Sequence, residues 1–401
     1  MASKKISDIV VAIDLGGSLT KIAAQTPDGR YCLLAIESEI VPVPADILQD
    51  IQANYWGKAS PESGIWVVCN SQGYALGSYA RKQFLANRDL KVSKLEGAVP
   101  KILGALWVLQ QKLKLPKRFS VKLGVLLPAE ECSKVDREDL AERLTPELES
   151  FVTPTGTLTI KLKSQPVIKP EGAGVFLAYK NSRNCEYIEQ KRVGILGIGY
   201  RNSNLLIMDN GTVGQNDRFT DQLGFSALVD SVRSEIGSTI DEAQLAGVIV
   251  EAGSQIDRNF LENYLAKLGK TNRIEGTIEA LQRSRKMYLY QLEAWLKRIQ
   301  IDNLDAIVFY GGTTEYFRKD LTKRFEDFDE IVWHGGVSIP SDLLTSIVAD
   351  KSQTALEYRF IDPWCFLHYI CDRQKGYSDW GLDKLTYADI QSGSKEVVRV
   401  G

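Results

Sequence analysis

Residues 10–24 read VVAIDLGGSLTKIAA, and this segment decides the fold. A run of β-branched and small apolar residues leads to Asp14, and a second run of this kind begins at Thr20. Between the two runs stand Gly16 and Gly17, which favour a tight turn. The pattern predicts a strand, a glycine turn and a second strand, with an acid near the end of the first strand.

The chemistry of this turn predicts a nucleotide site. Backbone N–H groups exposed in a glycine turn suit the oxygens of a phosphate group, and Lys21 can add a positive charge there. Asp14 is unsuited to direct phosphate contact because like charges repel. Its carboxylate can instead hold the water molecules of a Mg²⁺ ion that is bound to a nucleotide. The alternative is an ordinary hairpin with a Gly-Gly turn and an exposed aspartate.

The composition is that of a globular protein. Of the 401 residues, 44% are hydrophobic and 25% are charged, which suggests roughly two to three domains. Lysine and arginine number 49 against 51 acidic residues, so the net charge of −2 points to neither nucleic acid nor a membrane surface as a direct partner. The six cysteines form no CxxC pair, the two histidines argue against a His-rich zinc site, and no membrane span is visible. We therefore expect a cytoplasmic protein.

The pattern of the opening segment returns in the second half of the chain. Residues 191–213 read KRVGILGIGYRNSNLLIMDNGTV and predict a strand, a glycine-bearing turn and a second strand, with Gly197 in the place of Asp14. Residues 305–317 read DAIVFYGGTTEYF and predict a buried strand that ends in a double glycine. Two halves with the same leading unit predict a duplicated α/β architecture with a cleft between the halves.

Hydrophobic periodicity predicts the other elements. Strands are expected at 8–14, 19–25, 30–41, 120–128 and 158–168. Helices are expected at 93–115, 223–236, 277–300, after Pro340 and at 358–370, with a short element of either type at 172–179 and a polar tail from Gly376.

Three motifs in this order, DLGGSLTK, GIGYRNSN and FYGGTTEYF, resemble the actin–Hsp70–sugar kinase superfamily. The similarity is greatest to bacterial actin-like plasmid-segregation proteins of the ParM/StbA kind. GYALGSYAR, PEGAGVFLAY and YRFIDPWCFLHYI extend the resemblance over most of the chain. It implies an actin-like, ribonuclease H-like duplicated fold of two domains with a nucleotide cleft between them. The domains expected are 1–185 with an insertion at about 35–110, 186–357 with an insertion at about 225–300, and 358–401 as a returning helix with a tail.

The resemblance also implies the residues of the site. Asp14 would hold Mg²⁺ through water, and Glu171 would lie beside the attacking water. The nucleotide, ATP or GTP, would be bound by Gly16, Gly17, Ser18, Lys21, Gly199, Asn202, Ser203, Arg283, Lys286, Gly311, Gly312 and Thr313. Two alternatives remain open: Glu171 as an exposed turn carboxylate, and Arg283 with Lys286 as a solvated helix face.

One position departs from the pattern of the family. The second hairpin should present an aspartate where this chain has Gly197. Its loss removes one of two carboxylates that hold hydrated Mg²⁺, whereas the turn amides still suit phosphate. We therefore expect nucleotide to bind and hydrolysis to be slow, with Asn202, Ser203 or Asn204 supplying part of the missing hydrogen bonding.

The function that the resemblance implies is a nucleotide-dependent filament with weak ATPase activity. Nucleotide would favour the polymerising state, and hydrolysis would weaken contacts between subunits. Such filaments act in plasmid or DNA segregation or in cytoskeletal positioning, here through a DNA-binding adaptor and without direct contact to nucleic acid. Two alternatives are a sugar or acyl kinase of the same superfamily with Asp221 as general base, and a scaffold that binds nucleotide without hydrolysing it.

Overall fold

The computed structural model describes residues 8–53, 60–88, 92–183, 185–214, 216–237, 241–345 and 356–374. These residues form two compact units. The first unit draws on Met1–Asn181, Ser338–Ile347 and Phe360–Gly401, and the second on Ser182–Val337 and Val348–Arg359. The tail predicted from Gly376 lies outside the described residues.

The first unit is built on one mixed sheet. Its strands are β1 (Asp8–Leu15), β2 (Leu19–Gln25), β3 (Tyr31–Glu37), β4 (Ile40–Val43), β5 (Trp66–Cys69), β6 (Gln72–Leu76), β7 (Arg118–Leu127), β8 (Phe151–Thr153), β9 (Gly156–Leu162) and β10 (Val167–Pro170). They follow the order β3-β2-β1-β7-β9-β8-β5-β6-β4, and β10 also pairs with β7. β1 is antiparallel to β2 and parallel to β7, and β10 is parallel to β7. Asp14 and Glu171 therefore lie at the same edge of the sheet, where these parallel strands end.

The helices of the first unit cover this sheet. They are α1 (Ala45–Ala53), α2 (Gly77–Phe84), α3 (Ala98–Lys112), α4 (Lys134–Glu149) and α5 (Ala173–Asn181). The helix expected at 93–115 is shorter, and Pro100 lies in its first turn, where a missing N–H costs little. α4 was not predicted, because a buried stripe of only three leucines faces the core. The capping box of Ser133 and Asp136 fixes its start.

The second unit repeats the plan. Its elements are α6 (Cys185–Gln190), β11 (Val193–Ile198), β12 (Ser203–Met208), β13 (Arg218–Asp221), α7 (Phe225–Ile236), α8 (Glu242–Ala252), α9 (Arg258–Lys267), α10 (Ile274–Arg298), β14 (Ala306–Tyr310), α11 (Gly312–Tyr316), α12 (Arg318–Arg324) and β15 (Glu330–Trp333). The sheet order is β13-β12-β11-β14-β15, with β11 antiparallel to β12 and parallel to β14. The strands β3-β2-β1-β7-β10 have the same order and directions. This correspondence confirms the predicted duplicated α/β architecture.

Two further helices complete the described chain, α13 (Ser341–Thr345) and α14 (Leu356–Gln374). From Phe360 onward α14 belongs to the first unit and packs on β7. A Cβ on Gly124 of β7 would lie 2.1 Å from Ile370 Cδ1, and Lys122 Nζ donates a hydrogen bond of 2.8 Å to the Ile370 carbonyl oxygen. The glycine in β7 thus lets α14 pack closely on the sheet.

Two predicted strands are each divided into two in the structure. The strand expected at 30–41 is interrupted after Glu37. At the interruption, the Ser38 hydroxyl donates a hydrogen bond of 2.6 Å to the Gly17 carbonyl oxygen. The strand expected at 158–168 is two strands, because β9 and β10 pair with successive halves of β7. In 305–317 the structure confirms a buried strand that ends at the double glycine: β14 ends at Tyr310, and α11 begins at Gly312.

The apolar residues of each unit form a core of their own. The larger cluster of the first unit joins β1, β7 and α3, and the cluster of the second joins β11, β14, α7 and α10. A smaller cluster lies within the predicted insertion and contains Val43, Leu48, Trp66, Ala75, Tyr79 and Ala80. No helix within the described ranges combines the length and hydropathy of a membrane span.

Candidate functional site

The β1–β2 hairpin places a charged pair beside its glycine turn. Asp14 and Lys21 are opposite each other in the strand pairing, and Lys21 Nζ donates a hydrogen bond to Asp14 Oδ2. A Cβ on Gly16 would lie 2.5 Å from the Leu19 carbonyl oxygen and 3.2 Å from Lys21 Nζ. The turn therefore excludes a side chain at Gly16, and the Lys21 ammonium lies next to its backbone.

The second carboxylate oxygen of Asp14 fits a ligand. Asp14 is buried, and its Oδ1 has no hydrogen-bond partner among the residues that the structure describes. A buried acceptor without a partner is costly, so a donor at this position is favourable. A water molecule of hydrated Mg²⁺ is such a donor. Ser18, the last residue of the turn, is buried as well.

Glu171 is held beside the same sheet edge by Lys94. Its backbone N–H donates to the Leu127 carbonyl oxygen at 2.7 Å, and Lys94 Nζ donates to its Oε1 at 2.5 Å. The Lys94 and Glu171 side chains are only 8% and 12% exposed. Glu131 accepts a hydrogen bond from the Lys94 N–H at 2.6 Å. Glu171 is thus a mostly buried, paired carboxylate and not an exposed turn residue, and Lys94 is a neighbour that the sequence did not predict.

The β11–β12 hairpin forms a similar turn without a carboxylate. The Gly199 N–H donates to the Asn202 carbonyl oxygen at 2.8 Å, and the Ser203 hydroxyl donates to the Leu223 carbonyl oxygen at 2.6 Å. Asn202 is 3% exposed, yet neither polar atom of its amide has a hydrogen-bond partner among the described residues. Asn204 Oδ1, in contrast, accepts a hydrogen bond of 2.9 Å from the Thr220 hydroxyl. Asn202 is therefore the hairpin side chain that fits a ligand.

The place of the missing aspartate is filled by an aromatic ring. Gly197 and Tyr310 are paired in neighbouring parallel strands, and their positions lie on the same face of the sheet. A Cβ on Gly197 would lie 2.1 Å from Tyr310 Cζ and 2.5 Å from its hydroxyl oxygen. Any side chain at Gly197 would thus collide with Tyr310, a contact that no spacing in the sequence reveals.

The double glycine lies beside the second hairpin. The Thr313 hydroxyl donates a hydrogen bond of 3.3 Å to the Gly199 carbonyl oxygen, and the Thr314 hydroxyl donates to the Gly311 carbonyl oxygen at 2.6 Å. Gly312 is the first residue of α11. The structure therefore brings the two predicted glycine motifs of the second unit together.

The predicted basic residues of α10 lie on its exposed face. Arg283 is largely exposed and pairs with Glu235 of α7, and Lys286 is exposed. Arg285 instead pairs with Asp320 of α12 and lies over the Phe317 ring, 5.5 Å from its centroid. The spacing from Leu281 and Tyr288, four residues before and three after, would have placed Arg285 on the inner face.

Two further observations limit the chemistry of the site. Asp221, the candidate base of a kinase, lies in β13 and pairs with Arg298 of α10 at 3.4 Å. The described residues contain no cluster of three or more histidine, cysteine, aspartate or glutamate side chains arranged to hold a metal ion. The role of Asp14 in holding Mg²⁺ through water stays a prediction.

Solved structures with this architecture span nearly the whole chain. Bacillus thuringiensis ParM with ATP has a TM-score of 0.59 at 12% identity and covers 92% of this chain and 99% of its own. Actin-like protein Alp7A has a TM-score of 0.58 at 13% identity, with 92% and 97% covered. The Alp12 filament structure has a TM-score of 0.52 at 15% identity, with 92% and 99% covered. The chain has the actin-like fold.

At these identities the similarity establishes the fold alone. No protein-family model matches the chain, and no curated protein sequence does. Within the actin-like fold, both glycine hairpins of this chain occupy the same place in their sheets, β1–β2 in the first unit and β11–β12 in the second. The roles of the individual residues stay predictions.

Proposed function

We propose that this chain is a nucleotide-dependent filament-forming protein that binds Mg-ATP with the turns of its two glycine hairpins. One of the similar structures is a ParM with ATP and another is a filament of Alp12. The turn amides and Lys21 would hold phosphate oxygens, and Asp14 would hold the water shell of Mg²⁺. The magnesium ion would neutralise phosphate charge when it is bound.

One observation carries this proposal. Each hairpin buries at least one side-chain polar atom that has no hydrogen-bond partner among the described residues, Asp14 Oδ1 in the first and both polar atoms of the Asn202 amide in the second. Such atoms are uncommon in folded proteins because each costs about 1–3 kcal/mol. Their presence beside the glycine turn of each unit supports a polar ligand of the phosphate and Mg²⁺ type.

Slow hydrolysis is part of the proposal. The second hairpin has Gly197 and the Tyr310 ring where a carboxylate would hold water molecules of the metal ion. Of the carboxylates that the resemblance implies, Asp14 and Glu171 remain to orient the metal shell and the attacking water. Hydrolysis would still weaken the contacts between subunits, but on a long timescale.

The proposed role is DNA or plasmid segregation or cytoskeletal positioning. A net charge of −2 gives the chain no general attraction for nucleic acid, so a DNA-binding adaptor would provide the link. The filament would then move or position its cargo as it assembles.

Sedimentation with ATP, GTP or ADP, followed by negative-stain microscopy of the pellet, tests the function. We expect filaments with a triphosphate and none, or shorter ones, with ADP. Lys21→Met is the matched control, because it should lose both nucleotide binding and the pellet. A chain that remains in the supernatant with every nucleotide at high concentration would contradict the proposal.

A nucleotide-locked scaffold is the second candidate, and the Tyr310 ring over Gly197 favours it. In that case ATP would drive assembly, but phosphate would be released no faster than by spontaneous hydrolysis of ATP in the absence of the protein. Filaments that persist after ATP has been removed by hexokinase and glucose would favour the scaffold. Filaments that disassemble in step with phosphate release would favour the hydrolysing form.

A further inference from the structure

Asp362 of α14 makes an unusual set of contacts within the first unit. Its carboxylate is 3% exposed and accepts three backbone hydrogen bonds from the start of α5. The Gly172 N–H donates to Oδ2 at 2.6 Å, and the N–H groups of Gly174 and Val175 donate to Oδ1 at 2.8 and 3.2 Å. The first N–H groups of a helix have no partner within the helix, so Asp362 caps α5 from another helix.

The approach of the two helices is close enough to require glycine. A Cβ on Gly174 would lie 2.2 Å from the Asp362 carbonyl oxygen and 2.8 Å from its Oδ1. The carboxylate therefore has little freedom, and the segment that it caps is fixed relative to α14.

These contacts bear directly on Glu171, which immediately precedes Gly172. The Glu171 N–H is bonded to β7 through the Leu127 carbonyl oxygen, and the next N–H is bonded to Asp362. The backbone is thus held on both sides of Glu171, while Lys94 holds its carboxylate. The direction of the Glu171 side chain depends on all three contacts.

The surroundings of Asp362 disfavour the charged form of its carboxyl group. The pKa of Asp362 is raised to about 7, mainly by burial and also by the negative charges of Asp14 and Glu171, while hydrogen bonds from the Gly172 and Val175 amides oppose the rise. Lys21 and Lys94 pair with those two other acids and not with Asp362. The Asp362 carboxylate accepts three backbone hydrogen bonds that an apolar side chain at this position could not accept.

We propose that Asp362 is a positioning residue for Glu171, through which α14 sets the rate of nucleotide hydrolysis. This inference rests on the proposed function, in which Glu171 orients the attacking water. Asp362 is buried and its carboxylate is bonded to backbone amides of α5, so its effect should appear in hydrolysis and not in nucleotide affinity.

The first test is a double-mutant cycle on phosphate release. Asp362→Asn keeps the shape of the side chain but replaces the acceptor of the Gly172 N–H with a donor. We expect about tenfold slower phosphate release at saturating ATP with affinity within about twofold. In a Glu171→Gln background the same change should alter the rate by less than about twofold, because the residue through which it acts is gone. Equal effects in both backgrounds would overturn the proposal.

The matched control is Asp241→Asn. Asp241 also caps a helix with its carboxylate, accepting from the Ala243 and Gln244 N–H groups at 3.0 and 3.1 Å, but at α8 of the second unit. Loss of this cap should lower stability without changing phosphate release. If both variants slow release equally, the effect of Asp362 is general destabilisation and the inference is wrong.

A measurement without nucleotide separates this inference from the proposed function. In hydrogen exchange, Asp362→Asn should speed exchange in a peptide covering 171–181 by about tenfold while a peptide covering β1 is unchanged. Unchanged exchange at 171–181 would refute the positioning role. If the wild-type chain binds no nucleotide, the proposed function fails, and the exchange result still decides whether Asp362 holds the segment.

Discussion

The two glycine hairpins share one backbone plan and differ in charge. In the first, Asp14 pairs with Lys21 across the strands, and in the second the same register joins Gly197 to Asn204. The first hairpin lies in the same unit as Glu171 and Asp362, and the charges of Asp14 and Glu171 act on the Asp362 carboxylate. The second has the Tyr310 ring. The backbone of the turn and the charged pair beside it are therefore separable: the second hairpin keeps the strand register of the first without the Asp14–Lys21 pair.

The largest expected effect concerns the pH dependence that these carboxylates give the first unit. The pKa of Asp362 is about 7 against an ordinary 3.8, so between these values the folded chain binds a proton that the unfolded chain has released. The free energy of unfolding contributed by this group therefore falls as pH rises from about 4 to about 7, by about 4 kcal/mol in total. Urea unfolding of Asp362→Asn should lack this slope.

Asp302→Asn serves as the control for the pH series. Asp302 is exposed in the second unit, so its variant should keep the wild-type slope. An Asp362→Asn variant whose stability falls with pH as steeply as that of the wild type would show that this carboxylate does not cause the slope.

The second prediction tests the charge of the first hairpin. Lys21→Met should weaken ATP binding about 100-fold, because a charge-assisted hydrogen bond contributes about 1.5–3 kcal/mol and Asp14 is left without its cation. Calorimetric titration with ATP measures the effect. Lys163→Met is a matched control. Lys163 also pairs with an aspartate of β1, Asp8, at 2.8 Å, but both side chains of this pair are exposed. An equal loss in both variants would mean that the Lys21 charge has no special role.

Comparison of the hairpins also shows what the sequence could predict. The strand–turn–strand units, the duplicated sheets and the turn glycines follow from local patterns that a single segment contains. Three contacts join residues that are far apart in the sequence. Lys94 and Glu171 are 77 positions apart, Asp362 and Gly172 are 190 apart, and Tyr310 and Gly197 are more than 100 apart. Such contacts are set by strand register and helix packing, which no local spacing encodes. Arg285 is an exception, because helical spacing alone would have placed it on the inner face of α10.

The third prediction tries to restore the charge of the first hairpin in the second. Gly197→Asp alone should collide with Tyr310, lower the free energy of unfolding by about 2 kcal/mol and leave hydrolysis unchanged. Gly197→Asp combined with Tyr310→Ser provides the space, and phosphate release should rise about tenfold. Tyr310→Ser alone controls for the lost ring. If the double variant releases phosphate no faster than Tyr310→Ser, the missing carboxylate is not what slows hydrolysis.

The smallest expected effect separates the two asparagines of the second hairpin. Asn202→Ala should weaken ATP binding about fivefold without loss of stability, because its amide has no hydrogen-bond partner among the described residues to lose on mutation. Asn204→Ala should do the reverse: about 1 kcal/mol of stability is lost with the Thr220 hydrogen bond, and affinity stays within twofold. Thermal unfolding and ATP titration of both variants measure the two effects. An Asn202→Ala chain that loses stability but not affinity would show that this amide serves the fold, and the second hairpin would then contribute only backbone groups to the proposed site.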